Sequence, residues 1–270
     1  MSRPGLVDTH CHLQVIGADD PAAVDTTIAA ATEAGVDRLI TIGLGDDNRA
    51  VVELAAGRDG VYATVGWHPH EATPPNADQL AEIRELALLP GVVAIGEVGL
   101  DYYWRPGYHE VPVDVQKESL RLMLGLAREV RLPAVIHNRM AHGDTLALLQ
   151  EFDDLTIVMH AFSGDVDFAR ECAERGIYMS IAGPITYPSA QPLREAVATI
   201  PLELLLVETD APFLPPQPWR GKPSSPAMMV ETARRLAEVK GTTLDELAPR
   251  LLANSESVFR LGVDLATLEP

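Results

Sequence analysis

Short apolar runs alternate with longer amphipathic segments along almost the whole chain. The runs LVDTHCHL (6–13), DRLITIG (37–43), VYATVGWHP (61–69), VVAIGEVGLD (92–101), PAVIHN (133–138), TIVMHAFS (156–163), GIYMSIA (176–182) and ELLLVETD (203–210) read as strands. Near-continuous apolar runs of this length suit parallel strands buried on both faces. Between them lie segments rich in Ala, Leu and Glu, such as PAAVDTTIAAATEAG and PNADQLAEIRELALLPG, whose apolar positions recur at helical spacing. VDVQKESLRLMLGLAREVRLP is the longest of these predicted helices.

Eight uninterrupted β–α units predict an α/β protein of the single (β/α)8 TIM-barrel type; an open α/β sheet is the competing architecture. No linker-like or low-complexity stretch divides the chain, so residues 1–270 are expected to form one barrel domain. The Pro-rich segment 211–226 reads as a loop across the top, and a C-terminal helical segment at 241–260 as packed on the outside.

Polar residues fall where a packed core would not choose them. Asp8, His10 and His12 are spaced by two on the first strand and so share a face. Glu97 ends the fourth strand, His137 the fifth, His160 the sixth, and Glu208 with Asp210 the eighth. Ligands from different strand ends converge at the mouth of a barrel. Four imidazoles and two carboxylates suit divalent transition metals; zinc, manganese and cobalt are all compatible. Six ligands suggest two ions: His10, His12 and Asp210 at one, His137 and His160 at the other, with Glu97 shared. Such a pair generates hydroxide from water and clamps the attacking and leaving oxygens, and Asp210 is placed to orient that hydroxide or take its proton. Asp8 and Glu208, each two residues before a ligand, are expected to hold ligand imidazoles from behind.

Charge then changes the picture. The net charge of -18 (21 Lys and Arg against 39 Asp and Glu) excludes a basic DNA-coating surface. A local attraction survives: two ions give +4, two carboxylates subtract two and a hydroxide one, which leaves +1 for a phosphate diester. Substrate contacts are sought in His68, in Arg139 as a phosphate clamp, in Arg220 and Lys222 of the long eighth loop, and in Tyr103, flanked by Tyr102 and Trp104, as a stacking platform. Ser163 and Gly164 open a helix whose first amides could hold an anion. His70, His109 and His142 read as surface histidines, and Cys11 and Cys172 as small buried hydrophobes. Neither a secretory leader nor a long apolar span is visible, so the expectation is a cytoplasmic protein without a membrane anchor.

Taken in order, DTHCHL (8–13), GWHPH (66–70), GEVGLDYY (96–103), IHNR (136–139), HAFSG (160–164), ETDAPFLPP (208–216) and RGK (220–222) resemble the TatD family of metal-dependent deoxyribonucleases, within the amidohydrolase-like barrels. The resemblance implies a binuclear site on His10, His12, Glu97, His137, His160 and Asp210. It also implies hydrolysis of DNA, in several members from the 3′ end, with Mg²⁺ or other divalent ions such as Mn²⁺ or Zn²⁺. Such proteins usually continue RGK with Asn-Glu-Pro, where this chain has Ser224, Ser225 and Pro226, and they commonly carry a cysteine where Ala161 stands. Single strands or frayed ends are the expected DNA partners, because a narrow mouth in an acidic shell grips little duplex. Competing readings are a hydrolase of a small ester or amide, or of aminoacyl-tRNA esters, and a non-catalytic metal-binding scaffold. Many two-metal members of the wider group resemble a design bridged by a carboxylated lysine, which the fourth strand does not offer.

Overall fold

The computed structural model describes residues 5–261. Eight parallel strands run in the order β1 to β8: Leu6–Cys11, Val36–Ile42, Val61–Val65, Val92–Asp101, Ala134–Arg139, Ile157–Met159, Tyr178–Ile181 and Leu205–Val207. Helices α1 (Leu13–Ile16) and α2 (Ala22–Ala34) follow β1, and α3 (Asn48–Ala56), α4 (Ala77–Ala87), α5 (Val113–Val130), α6 (His142–Leu149), α7 (Val166–Glu174) and α8 (Gln191–Thr199) follow β2 to β7 in turn. After β8 come α9 (Met229–Val239) and α10 (Leu244–Phe259). The ring closes just beyond β8: the amide of His12 donates to Ala211 O at 2.7 Å, and that of Asp210 to His10 O at 2.8 Å. The fold is a TIM barrel, and the alternative of an open sheet falls away.

Val7, Ile40, Ile42, Val93, Ala94, Val135, Val158 and Leu206, from six strands around the ring, pack into one cluster with Val258, Phe259 and Leu261. Strands on opposite sides of a ring can meet only inside it, so this cluster is the barrel interior, and the end of α10 plugs it. His137, His160 and Glu208 stand two residues beyond Val135, Val158 and Leu206. Strand alternation therefore carries them onto the same inward face, one layer nearer the carboxyl ends. A second, larger apolar cluster lies between the strands and the helices.

Every predicted strand is present, but several are shorter than their apolar runs suggest. The sixth keeps only Ile157–Met159 and the eighth only Leu205–Val207. Beyond those residues single backbone bonds to the neighbouring strands persist, from the His160 amide to Ile136 O and from the Glu208 amide to Ile181 O, both at 3.1 Å, while the chain turns to place side chains at the mouth. Ala161 and Asp210, with φ of 42° and 59°, sit in the left-handed region there.

Candidate metal centre at the barrel mouth

Glu97 is the hub. Its Oε2 lies 3.4 Å from His10 Nε2, while its Oε1 lies 2.6 Å from His137 Nδ1 and 2.9 Å from His160 Nε2. Asp210 Oδ1 is 3.2 Å from His12 Nε2 and 3.7 Å from His10 Nε2. The six predicted ligands are therefore brought together, with the two oxygens of Glu97 directed at different histidines. Close backbone approach makes this possible. A Cβ on Gly66 would lie 2.5 Å from the Gly96 carbonyl carbon, and one on Gly99 would lie 1.9 Å from the carbonyl oxygen of His137. Glycine alone lets β3, β4 and β5 converge here.

All six side chains are largely buried, and burial alone would neutralise them. For Glu97 that penalty is outweighed by His160, His68, His10 and His137, which hold its pKa well below the usual carboxylate range. Asp210 is likewise lowered against its burial by the hydrogen bond and charge of His12. His160 is pushed well above the usual imidazole value despite burial, by Glu97 and Glu208. His10 goes the other way, lowered by burial and by His160. Neither ring nitrogen of His10, nor Nδ1 of His12, has a hydrogen-bond partner. Stranding such buried atoms costs ~1–3 kcal/mol each, so lone pairs converging with two carboxylates fit a cation held among them.

Glu208 Oε1 sits 3.2 Å from His160 Nδ1 and accepts the Ala161 amide at 2.9 Å. Asp8 does not reach the ring of His10, contrary to expectation. Its carboxyl accepts Thr209 Oγ1 at 2.6 Å, the Thr209 amide at 2.9 Å and the His10 amide at 3.3 Å, tying β1 to the end of β8. The cause is local: the β1–β2 register shifts between Asp8 and Cys11, which breaks the simple alternation. Burial pushes the Asp8 carboxyl up to about 8.

His68 enters the same space, its Nε2 3.6 Å from Glu97 Oε1. The His70 amide donates to His68 Nδ1 at 3.2 Å, which leaves the proton of the neutral ring on Nε2. Burial lowers His68 to about 4, so the neutral form holds at physiological pH. Arg139 is spoken for on two sides: its guanidinium lies 3.9 Å from the ring centroid of Tyr103 and donates to Tyr108 Oη at 2.7 Å. One ring face of Tyr103 is thus covered by Arg139. Arg220 is exposed and packs over Tyr187, and Lys222 is exposed in the same loop. Trp104 is largely exposed, whereas Tyr102 Oη donates to Asp144. The proposed anion cradle after Ser163 is filled by the chain's own acid, since Asp165 caps α7 by accepting the Phe168 amide. Ser224 is buried, its Oγ without a partner. Cys11 donates its thiol to Ile40 O, away from the cluster.

Three histidines expected at the surface are partly buried and engaged by neighbours. His142 stacks on Phe168 with ring centroids 4.1 Å apart. His70 Nε2 lies 2.9 Å from Asp101 Oδ2, and His109 stacks on His70 at 4.2 Å. Asp101, not among the residues predicted for the site, also receives His137 Nε2 at 3.2 Å and Tyr108 Oη at 3.1 Å. Burial opposes its charge, but His137 and His70 outweigh that and hold its pKa far below the usual range. Its signal was available: Asp101 is four residues from Glu97 on one strand, which puts both on the same face. His109 offered none, because it lies in a loop.

A family model described as TatD related DNase matches residues 7–260. The chain belongs to the TatD family. It is 38% identical to the uncharacterized metal-dependent hydrolase YabD of Bacillus subtilis, over 95% of this chain and all of that one. It is 35% identical to the 3'-5' ssDNA/RNA exonuclease TatD of Citrobacter rodentium, over 90% of this chain and 94% of that one. Among solved structures, the TatD homolog YjjV of Escherichia coli K12 superimposes with a TM-score of 0.87 at 30% identity, covering 96% of this chain and 100% of its own. This TatD-family chain is therefore an enzyme, a metal-dependent hydrolase. No helix among the described residues is long and apolar enough to cross a membrane.

Proposed function

We propose that the chain hydrolyses DNA phosphodiesters, digesting single-stranded or frayed ends from the 3′ side, with two divalent ions held by His10, His12, Glu97, His137, His160 and Asp210. The observation that carries this reading is the division of Glu97, one oxygen towards His10 and the other towards His137 and His160. The Citrobacter relative, a 3'-5' ssDNA/RNA exonuclease by name, supports the choice of nucleic acid. Mg²⁺, Mn²⁺ or Zn²⁺ bound there supplies a nucleophile from water at neutral pH and offsets phosphoryl charge.

The chain's own residues do the rest. Asp210, with Oδ1 engaged by His12, takes the proton of the attacking water on its second oxygen. His68, neutral with its proton on Nε2, donates to a phosphate oxygen without adding charge. Arg139, stiffened by Tyr103 and Tyr108, presents a cation at the rim, where it pairs with a neighbouring phosphate. Arg220 and Lys222 contribute attraction from the eighth loop, and Tyr103 acts by holding Arg139 in place of stacking on a base.

The test strips the protein with chelator, restores each metal separately, and follows 5′-labelled single-stranded DNA on a denaturing gel. A metal-dependent ladder shortening by single nucleotides is expected, slower on a closed duplex. His137→Ala and Asp210→Ala should lose activity while keeping the wild-type circular dichroism spectrum. No cleavage with any metal at full occupancy would move the substrate to a small ester or amide.

A further inference from the structure

The network around Asp101 holds one residue without an explanation. His109 is only 9% exposed at its side chain, yet neither Nδ1 nor Nε2 has a hydrogen-bond partner. Its Nε2 lies 3.9 Å from Asp101 Oδ1, too far for a hydrogen bond, while its ring stacks on His70 with an interplanar angle of 22°. One donor atom from each of His70, Asp101 and His109 falls within a sphere of mutual distances under 4.8 Å. An imidazole that served only as packing would leave both nitrogens desolvated at ~1–3 kcal/mol each, where a phenylalanine would leave none.

The scaffold around the three is built, not incidental. Buried Gln116 of α5 accepts the Asp101 amide at 2.8 Å and donates to Asp101 O and Val111 O, both at 3.1 Å. It thereby fixes both ends of the segment that carries Tyr108 and His109. Asp101 Oδ1 also accepts the Tyr103 amide at 2.9 Å, which sets the plane of the carboxylate.

We infer that His70, Asp101 and His109 form a further divalent-cation site, next to the six-residue cluster and joined to it through His137. The ligand class is a first-row transition ion such as Zn²⁺, Mn²⁺ or Co²⁺, since two imidazoles and one carboxylate suit these and leave positions open to water or a phosphate oxygen. His137 spans the two sites, with Nδ1 on Glu97 and Nε2 on Asp101. Asp101 and the nearby Arg139 cancel in charge, so an ion here adds its full +2 to the rim that faces a polyanion. Arg139 also opposes the ion, which makes this the weaker site. The inference goes beyond the two-ion reading and uses it only for the total count.

The experiment is equilibrium dialysis of the full chain against Zn²⁺, and separately Mn²⁺, with bound metal measured by mass spectrometry. Wild type is compared with His109→Phe, which keeps the stacked ring and removes the nitrogens, and with His109→Gln as a second variant should the first misfold. Wild type should bind three ions and each folded variant two, with one Co²⁺ absorption component lost in parallel. A wild-type count of one that His109→Phe abolishes would sink the two-ion reading and uphold this one. Equal counts in wild type and folded variants would overturn the inference and make His109 a packing residue only.

Discussion

A carboxylate behind a metal-binding imidazole raises the ring's basicity and fixes its direction, and removing such a partner typically weakens metal affinity by ~10–100-fold. Glu208 is placed for this role: it is buried, and its Oε1 is shared by the His160 ring and the Ala161 amide. Glu208→Gln keeps the acceptor for both but removes the charge, so metal affinity should fall by ~10-fold, and Glu208→Ala should lose ~100-fold. Competition against a chelating dye measures both, and excess metal should restore much of the rate in the glutamine variant. Wild-type affinity in both variants, with lowered thermal stability, would reduce Glu208 to a structural acceptor for the Ala161 turn. Asp8 differs from it although both precede a proposed ligand by two residues. On β1 the register slips between Asp8 and Cys11, so the spacing that aims Glu208 at an imidazole aims Asp8 at Thr209.

At the scale of elements, the sequence disclosed what repeats and hid what does not. Parallel strands buried on both faces are largely apolar, so all eight are legible as apolar runs, and a polar residue at their ends stands out for the same reason. Loops obey no such period: the 102–112 segment carries His109 and Tyr108 to the site through the clamp of Gln116, a contact made by a helix that begins only after that loop. Helix α10 falls within the predicted segment 241–260, and Thr243 and Glu246 form a capping box at its start, each side chain bonded to the other's backbone amide. Hydrogen bonds from Thr242 and Thr243 lower the Glu246 carboxyl from 4.5 to about 2. A carboxyl depressed in the folded state stabilises above its unfolded pKa, and that contribution disappears as pH falls towards the folded value. The melting-temperature gap between wild type and Glu246→Ala, measured without metal, should therefore be full near neutrality and narrow between about 4.5 and about 2. A gap that stays constant across that window would show that the cap acts through helix propensity and not through its charge.

At the scale of the whole molecule, the two-ion site proposed above would set a cationic mouth inside an acidic exterior, and the two would act over different distances. The net charge of -18 repels a nucleic-acid strand as it approaches, whereas attraction to the proposed ions and to Arg139 would operate within contact range. Salt separates the two, because the screening length falls from ~30 Å at 0.01 M to ~10 Å at 0.1 M. Proteins that grip DNA with a basic surface lose affinity steeply as salt rises, through the release of condensed counterions. Here the long-range term has the opposite sign. Raising NaCl from ~0.01 to ~0.1 M should screen the repulsion first, so KM for a long oligonucleotide should fall while kcat stays nearly level. A dinucleotide carries too little charge to feel the exterior strongly, and its KM should change less. Steady-state kinetics on both substrates at fixed free metal makes the comparison. If KM for the long strand rose with salt as it does for a basic binder, an extended cationic path outside the mouth would have to guide the strand, and the exterior would not be the barrier its net charge implies.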